Sequence, residues 1–332
     1  MIRVAVDALG GDRAPEEVVA GALEAAAEGV QPVLYGPAGL DTGGLPLVET
    51  TQEIAMDEKP ADAVRAKPDS SLVRACRAVG EGEAEAVLSA GNTGAMLAAG
   101  LLEIRRLQGV IRPAIAVVIP SRRGPSVLID SGANADARPE HLLQFAHMGA
   151  IFAEDVLERP APAIGLLSIG EEPEKGNALT LEAHALLAAS GLRFRGNVES
   201  RGLLDGAADV VVTDGFTGNV CLKLLEGTIK TLLDALREEI GASARGKAGG
   251  FLIRPAARGL RGRLDPDTYG GAYLLGLRGL AVIAHGNSSR TAIANAIRLA
   301  ARGVEHKVVE RLGERIAERV VASARSRAPT TE

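Results

Sequence analysis

Two short segments repeat one arrangement of hydroxyl, amide and glycine residues between an apolar run and a helical pattern. Residues 89–95 read SAGNTGA, and residues 213–219 read TDGFTGN. A glycine turn between a strand and a helix directs backbone N–H groups and the positive end of the helix dipole toward one point, where an anion binds. Phosphate is the predicted ligand. The alternative is that the hydroxyls only cap their helices.

Cationic and amide side chains elsewhere in the sequence are further candidates for binding phosphate. The phosphate-binding candidates are Ser89, Gly91, Asn92, Thr93, Gly94 and Arg112. Lys175 is followed by Gly-Asn at a predicted helix start, which is typical of an anion hook as well as of a solvated loop. An enzyme that positions phosphate as a reactant needs such groups and needs no covalent nucleophile.

The first predicted strand ends in a loop with two glycines and two acids. Asp7, Gly10, Gly11 and Asp12 follow residues 2–6, so they are expected at the carboxyl edge of the sheet, where ligands collect in α/β proteins. Asp7 and Asp12 either orient a ligand or cap the turn. The GxGxxG pattern is absent from this loop, which disfavours a dinucleotide cofactor.

Composition excludes several classes of function. Of 332 residues, 46% are hydrophobic and 2% aromatic, and the net charge is −5, which disfavours a nucleic-acid partner. The two cysteines, Cys76 and Cys221, have no CxxC spacing, and no HExxH or P-loop pattern occurs, so we expect no metal site. Without a leader pattern or an apolar run of about 20 residues, a cytoplasmic protein is expected.

Strand and helix patterns alternate along nearly the whole chain. This predicts one doubly wound α/β/α catalytic domain over residues 1–328, with a helical protrusion at residues 220–270 and a disordered tail at residues 329–332. Residues 114–119 and 126–129 are predicted to form an antiparallel hairpin in a mostly parallel sheet. Residues 54–71 are expected to form an irregular polar loop, and a helix is expected from Met96 to Leu107.

A basic segment at residues 241–263 contains no acid. We expect it either to contact an acidic protein or an anionic membrane, or to form a solvated helical hairpin. The candidate contact residues are Arg245, Lys247, Phe251, Arg254, Arg258 and Arg261.

Seven motifs occur in an order that resembles the bacterial phosphate acyltransferase family, the acyl-carrier-protein:phosphate acyltransferases of phospholipid synthesis. They are residues 7–12, 89–95, 112–114, 130–134, 175–177, 213–219 and 284–286. Leu9, Ser131 and the Arg122-Arg123 pair depart from the residues common in the family. The resemblance implies a Rossmann-like α/β/α sandwich related to isopropylmalate dehydrogenases and phosphotransacetylases, and a homodimer without a cofactor.

The resemblance also implies the reaction and its partners. A long-chain acyl-carrier protein and inorganic phosphate would give acyl phosphate and free carrier, and a membrane glycerol-3-phosphate acyltransferase would use the product. This implies a cytoplasmic enzyme that associates peripherally with the inner face of the membrane. A phosphotransacetylase acting on acyl-coenzyme A, a dehydrogenase of the related fold and a non-catalytic organiser of lipid synthesis remain alternatives.

On this interpretation, backbone N–H groups of Asn92 to Gly94 hold phosphate with help from Arg112 or Lys175. The catalytic candidates are Lys175, Asn177, Asn219 and His285, with the two asparagines as oxyanion donors and His285 as a general acid or a structural residue. The expected substrate pocket is formed by Asp7, Gly10, Gly11, Asp12, Asp130, Asn134, Asp214, Gly215, Phe216, Thr217 and Gly218.

Overall fold

The computed structural model describes residues 1–264 and 270–316, without the side chains of residues 261, 263 and 264. Short apolar and β-branched runs form the strands of one sheet. The strands are β1 (Arg3–Asp7), β2 (Gln31–Gly36), β3 (Leu47–Glu49), β4 (Ala86–Ser89), β5 (Ala114–Ile119), β6 (Ser126–Ile129), β7 (Ile164–Leu167), β8 (Phe194–Val198), β9 (Val210–Val212), β10 (Ala272–Leu275) and β11 (Leu280–Ile283).

Helices connect most of the strands, and polar side chains cap several of their first turns. The helices are α1 (Glu16–Ala26), α2 (Pro60–Ala66), α3 (Ser71–Gly80), α4 (Thr93–Ala99), α5 (Pro139–Val156), α6 (Ala178–Ala188), α7 (Gly215–Gly241), α8 (Ala244–Leu264) and α9 (Arg290–Glu305). A π-helical turn, Gly100–Ile104, continues α4.

The sheet has the order β3-β2-β1-β4-β11-β10-β5-β6-β9-β7-β8. Neighbours are parallel from β3 to β11 and again from β6 to β8. The three pairings between these groups, β11 with β10, β10 with β5 and β5 with β6, are antiparallel. The predicted α/β fold and its hairpin are confirmed. Because three reversals separate the two parallel groups, their carboxyl ends point in opposite directions.

Helices cover both faces of the sheet. Alternate residues of β5 divide the faces, since Ala116 packs with α1, α5, α6 and α9, whereas Ile115 faces the layer of α2, α3 and α4. The first half of α7 packs on this second face, over β6 and β9. Val117 lies between α4 and α7 and is only partly buried.

Several elements differ from the sequence-based expectations. The region expected to be irregular contains α2, which begins at Pro60, a residue suited to a first helical turn. The predicted helix from Met96 begins earlier, at Thr93, and its α-helical part ends at Ala99. Strands β3 and β10 were not predicted, because runs of three and four residues carry almost no periodicity. The predicted tail lies outside the described residues.

The helical protrusion is the pair α7 and α8, which pack on each other. Of the 27 residues of α7, the buried ones are Gly215 and Gly218 at its start. In the described part of the chain, no helix is both long enough and apolar enough to cross a bilayer.

Candidate functional site

Asp7 and Ser89 meet where the adjacent parallel strands β1 and β4 end. The Ser89 hydroxyl donates to Asp7 Oδ2 at 2.7 Å and accepts the Gly91 N–H at 3.0 Å. Asp7 is buried, and burial raises the pKa of its carboxyl above the ordinary value, although hydrogen bonds from Ser71 and Ser89 oppose this shift. This Asp7–Ser89–Gly91 chain fixes the first turn of the loop that leads into α4.

Gly10 lets the first loop approach this chain closely. A Cβ at Gly10 would lie 2.6 Å from Asp7 Oδ2 and 2.8 Å from the Gly91 nitrogen, so a side chain cannot be accommodated without movement. The Asp12 N–H donates to the Gly286 carbonyl at 2.7 Å. The loops after β1, β4 and β11 therefore form one cluster, which we call the α4 cluster.

Asn92 caps α4 and also holds a covering segment. Its Oδ1 accepts the Ala95 N–H at 3.0 Å, and its Nδ2 donates to the carbonyls of Met56 and Glu58 at 3.0 and 3.1 Å. The backbone N–H groups of Asn92, Thr93 and Gly94 have no acceptor among the described residues. Three consecutive donors at a helix start are suited to an anion.

His285 lies at the edge of the α4 cluster and is exposed. Its Nδ1 accepts the Asn287 N–H at 3.1 Å. In the neutral ring, the proton is then on Nε2, which remains available as a donor. His285 is thus held in an orientation suited to donating a proton.

The loop after β6 is organised by Asp130. This fully buried carboxylate accepts the N–H groups of Ile115, Gly132 and Ala133 through Oδ1, and both nitrogens of Asn134 through Oδ2. Both carboxylate oxygens are engaged by the chain itself. Asp130, expected in the substrate pocket, instead positions the loop.

Asn134 joins this loop to β5 and α7. The Asn134 side-chain amide donates to the Pro113 carbonyl at 2.8 Å, and the main-chain carbonyl of Asn134 accepts the Gly215 N–H at 2.8 Å. A Cβ at Gly218 would overlap the Asp130 carbonyl. Asn219 is exposed and lies beside Gly132. Asn134 is therefore a positioning residue as well.

A concave pocket opens where α6 and α7 begin. It is lined by Ala135, Asp136, Ala137, Asn177, Leu179, Asp214, Phe216 and Thr217. Asp214 caps α7 by accepting the Thr217 N–H and hydroxyl, and Asn177 caps α6 by accepting from Thr180. These caps are a carboxylate and an amide, not the threonine hydroxyls that the alternative interpretation named, and the pocket rim remains polar. We call this group the α7 cluster.

The two clusters are held apart by the sheet. Strands β4 and β9, which precede the two repeated loops, are five strand spacings apart, or about 24 Å. Lys175 follows β7, six spacings from β4, about 29 Å, and Arg112 precedes β5 at the opposite strand end. The prediction that Arg112 or Lys175 assists a phosphate at Asn92 to Gly94 is therefore wrong within one chain.

Some site features were not predicted. Ser71 and the Met56 and Glu58 carbonyls lie at the α4 cluster. The signal for them was Pro60, which marks a helix start and so a compact covering segment. The cysteines contribute no nucleophile, since burial raises the pKa of both the Cys76 and the Cys221 thiols.

Most of the basic segment forms α8, and the charged side chains that the structure describes there are exposed. Arg245, Lys247, Phe251, Arg254 and Arg258 all face solvent, and the side chain of Arg261 lies outside the described part. Helix α7 adds a row of exposed apolar side chains at intervals of four or eight residues. This row is Phe216, Val220, Leu224, Leu232 and Leu236.

The sheet order, the helices on both faces and the glycine loops at the strand ends define the class, a Rossmann-like α/β protein with the fold of phosphotransacetylases. A phosphotransacetylase structure from Streptococcus pyogenes superimposes with a TM-score of 0.62 at 17% sequence identity, over 92% of this chain and 94% of that chain. At this identity the likeness concerns the fold.

Sequence comparison then gives the family. A family model described as "Fatty acid synthesis protein" matches residues 2–311, and the chain belongs to that family. A phosphate acyltransferase of Heliobacterium modesticaldum is 46% identical over 327 residues, 95% of this chain and 98% of that protein. One of Moorella thermoacetica is 46% identical over 323 residues, 94% of this chain and 95% of that protein.

Proposed function

We propose that this protein is a phosphate acyltransferase that transfers a long-chain acyl group from the thioester of acyl-carrier protein to inorganic phosphate. The products are acyl phosphate and free carrier, which supply phospholipid synthesis. The curated relatives are named for phosphate acyl transfer, and the fold is that of phosphotransacetylases. The observation that carries the proposal is the row of three unpartnered N–H groups at the start of α4.

Phosphate bound there acts as the nucleophile. One phosphate oxygen forms a bond to the thioester carbonyl carbon, and the C–S bond breaks as the tetrahedral intermediate collapses. The backbone donors fix the anion at one end and leave its remaining oxygens free, so positioning supplies much of the rate gain. Since the pKa of a thiol is about 8.5, the thiolate leaving group needs little assistance from a general acid. We assign that assistance to His285 Nε2, because its Nδ1 accepts the Asn287 N–H.

The identity of the acyl donor is tested by comparing three thioesters. Purified protein is given palmitoyl-carrier protein, palmitoyl-coenzyme A or acetyl-coenzyme A, with and without phosphate, and thiol release is followed. We expect phosphate-dependent release, fastest from palmitoyl-carrier protein. Release from acetyl-coenzyme A alone would favour a phosphotransacetylase, and carrier binding without release would favour a non-catalytic organiser.

The protrusion formed by α7 and α8 is proposed to contact the membrane or the carrier protein, and a second copy of this chain. Its basic, acid-free α8 carries exposed Phe251, Leu252 and Ile253, a combination that suits the anionic inner membrane surface or the acidic carrier. The exposed row on α7 is proposed to be covered by a second copy in a homodimer. Docking at the membrane would deliver acyl phosphate to a membrane glycerol-3-phosphate acyltransferase.

Charge reversal tests the α8 surface. Replacing Arg254 and Arg258 by Glu should weaken binding to phosphatidylglycerol vesicles, since each basic residue near an anionic surface contributes about 1 kcal/mol. Co-sedimentation with vesicles and the KM for the carrier are measured in parallel. The control is Arg195→Glu on β8, an exposed site outside the protrusion. Unchanged binding and unchanged KM in the double variant would rule out the proposed surface.

A further inference from the structure

The covering segment, residues 53–59, leads into α2 and lies over the first turn of α4. The Asn92 side-chain amide donates to the Met56 carbonyl at 3.0 Å. Pro60, at the start of α2, lies against the same turn, because a Cβ at Gly94 would be only 2.6 Å from Pro60 Cγ. The segment is therefore attached to α4 on both sides of Met56 and Pro60.

An ion pair fixes the covering segment internally. Glu58 Oε2 accepts the Ala55 N–H at 2.8 Å and pairs with the Lys67 ammonium at 2.6 Å. The same ammonium donates to the Glu53 carbonyl at 2.7 Å. The main chain of Met56 lies between these contacts and is therefore held in one position.

The Met56 side chain reaches from this fixed main chain to another loop of the α4 cluster. A Cβ at Gly286, in the loop after β11, would lie 3.2 Å from Met56 Cε. Met56 thus spans from Asn92, which its carbonyl contacts, to Gly286, which its methyl contacts. The residue is nevertheless 48% exposed. Most of its apolar surface is available to a ligand.

The proposed reaction brings the acyl carbon between these two ends. Phosphate is proposed to bind at the N–H groups that begin at Asn92, and the leaving sulfur is proposed to face His285, the residue before Gly286. During the attack, the phosphate oxygen, the carbonyl carbon and the sulfur are neighbours, with reacting atoms about 3–3.5 Å apart. The first methylene groups of the acyl chain therefore lie beside the side chain that joins the two ends.

We infer that Met56 is a specificity-determining residue that contacts the first methylene groups of the acyl chain. This inference rests on the proposed function. Single exposed apolar residues are common on protein surfaces, but Met56 lies between the two groups that the reaction uses. Its thioether is apolar and flexible, so it adapts to an alkyl chain. If Met56 only closed the loop after β11 sterically, its size would matter and its polarity would not.

The test changes the polarity of residue 56 and keeps its size. Met56→Gln and Met56→Leu should unfold at the same urea concentration as the wild type, because the side chain is half exposed. With palmitoyl-carrier protein, kcat/KM should fall about tenfold in Met56→Gln, the effect of about two methylene contacts, and less than about twofold in Met56→Leu. The KM for inorganic phosphate should stay unchanged in both.

Leu102→Gln is the matched control. Leu102 is an exposed apolar residue on the π-helical turn that follows α4, so the same replacement there should leave kcat/KM unchanged.

Three results would overturn the inference. These are equal kcat/KM values in the two Met56 variants, a raised KM for phosphate in Met56→Gln, and a loss in Leu102→Gln as large as in Met56→Gln. If the wild type shows no phosphate-dependent thiol release, the proposed function itself fails. Equilibrium binding of palmitoyl-carrier protein and of carrier without an acyl group then still decides the inference, which requires that the acyl group strengthen binding about tenfold more in the wild type than in Met56→Gln.

Discussion

At the scale of single residues, the α4 cluster depends on a hydroxyl that connects a buried acid to a backbone N–H. Ser89 satisfies Asp7 Oδ2 and at the same time orients Gly91. Asp7 and Ser89 are 82 positions apart in the chain, yet both end adjacent parallel strands. Neither side chain has to touch the substrate, because the geometry of the following N–H groups depends on both.

Ser89→Ala should therefore impair both stability and phosphate use. Removing the hydroxyl takes one donor from the buried Asp7 carboxyl and the acceptor from the Gly91 N–H, which costs about 1–3 kcal/mol of unfolding free energy. The displaced N–H groups should raise the KM for phosphate about tenfold. Chemical denaturation and steady-state kinetics measure the two effects.

Ser126→Ala is the matched control for this variant. The Ser126 hydroxyl is buried and has no partner among the described residues, so its loss should change stability by about 0.5 kcal/mol or less. If both serine variants behaved alike, the Asp7–Ser89–Gly91 chain would have no special role.

The buried Asp7 carboxyl should also make stability depend on pH. Its pKa is raised in the folded state from the ordinary 3.8, so the folded protein holds a proton that the unfolded chain has lost. The contribution of Asp7 to stability therefore falls as the pH rises from about 4 through the raised pKa, and is constant above it.

Asp7→Asn tests this sign. The unfolding free energy of the variant minus that of the wild type should increase as the pH is raised from 4 to 8. Urea denaturation at several pH values measures it. A difference that stayed constant would show that Asp7 ionises in the folded protein as it does in the unfolded chain, and one that decreased would show that folding lowers its pKa.

At the scale of elements, the start of α7 is held in place because its backbone packs closely against the backbone of the loop after β6. Gly215 and Gly218 are the buried residues of this helix, and each faces the loop that Asp130 and Asn134 shape. Residues of the next turns, Cys221, Leu222 and Leu225, pack over β6 and β9. The first half of α7 therefore determines the position of the protrusion.

Gly218→Ala should disturb this junction, whereas Gly227→Ala should not. A Cβ at Gly218 would overlap the Asp130 carbonyl, so we expect a loss of about 1–3 kcal/mol. At Gly227 nothing lies within 4 Å, and the better helix former should stabilise α7 by up to about 1 kcal/mol. Thermal unfolding measures both. Equal melting temperatures would contradict the proposed close packing.

The sequence predicts individual loops better than their arrangement. The glycine loops after residues 86–88 and 210–212 occur where predicted, because apolar runs, hydroxyls and glycines act locally. The joint use of Asn92 with Lys175 failed, because three antiparallel pairings reverse the second half of the sheet. One of those strands, β10, is a four-residue run whose pairing depends on residues far away in the chain.

At the scale of the whole molecule, the two parallel groups of strands present two separate clusters. The α4 cluster offers N–H groups that have no acceptor among the described residues, and the α7 cluster offers a pocket with a polar rim. On the proposed function, inorganic phosphate binds at the α4 cluster. This arrangement suits a reaction between phosphate and a carrier-bound acyl group.

The most direct test of this account is the fate of labelled phosphate. The purified protein is incubated with palmitoyl-carrier protein and ¹⁸O-labelled inorganic phosphate, and the product is analysed by mass spectrometry before and after trapping with hydroxylamine. We predict palmitoyl phosphate that retains all the oxygens of the labelled phosphate, in an amount equal to the free carrier formed. Carrier release at the same rate without phosphate, or a product that contains no label, would contradict the account.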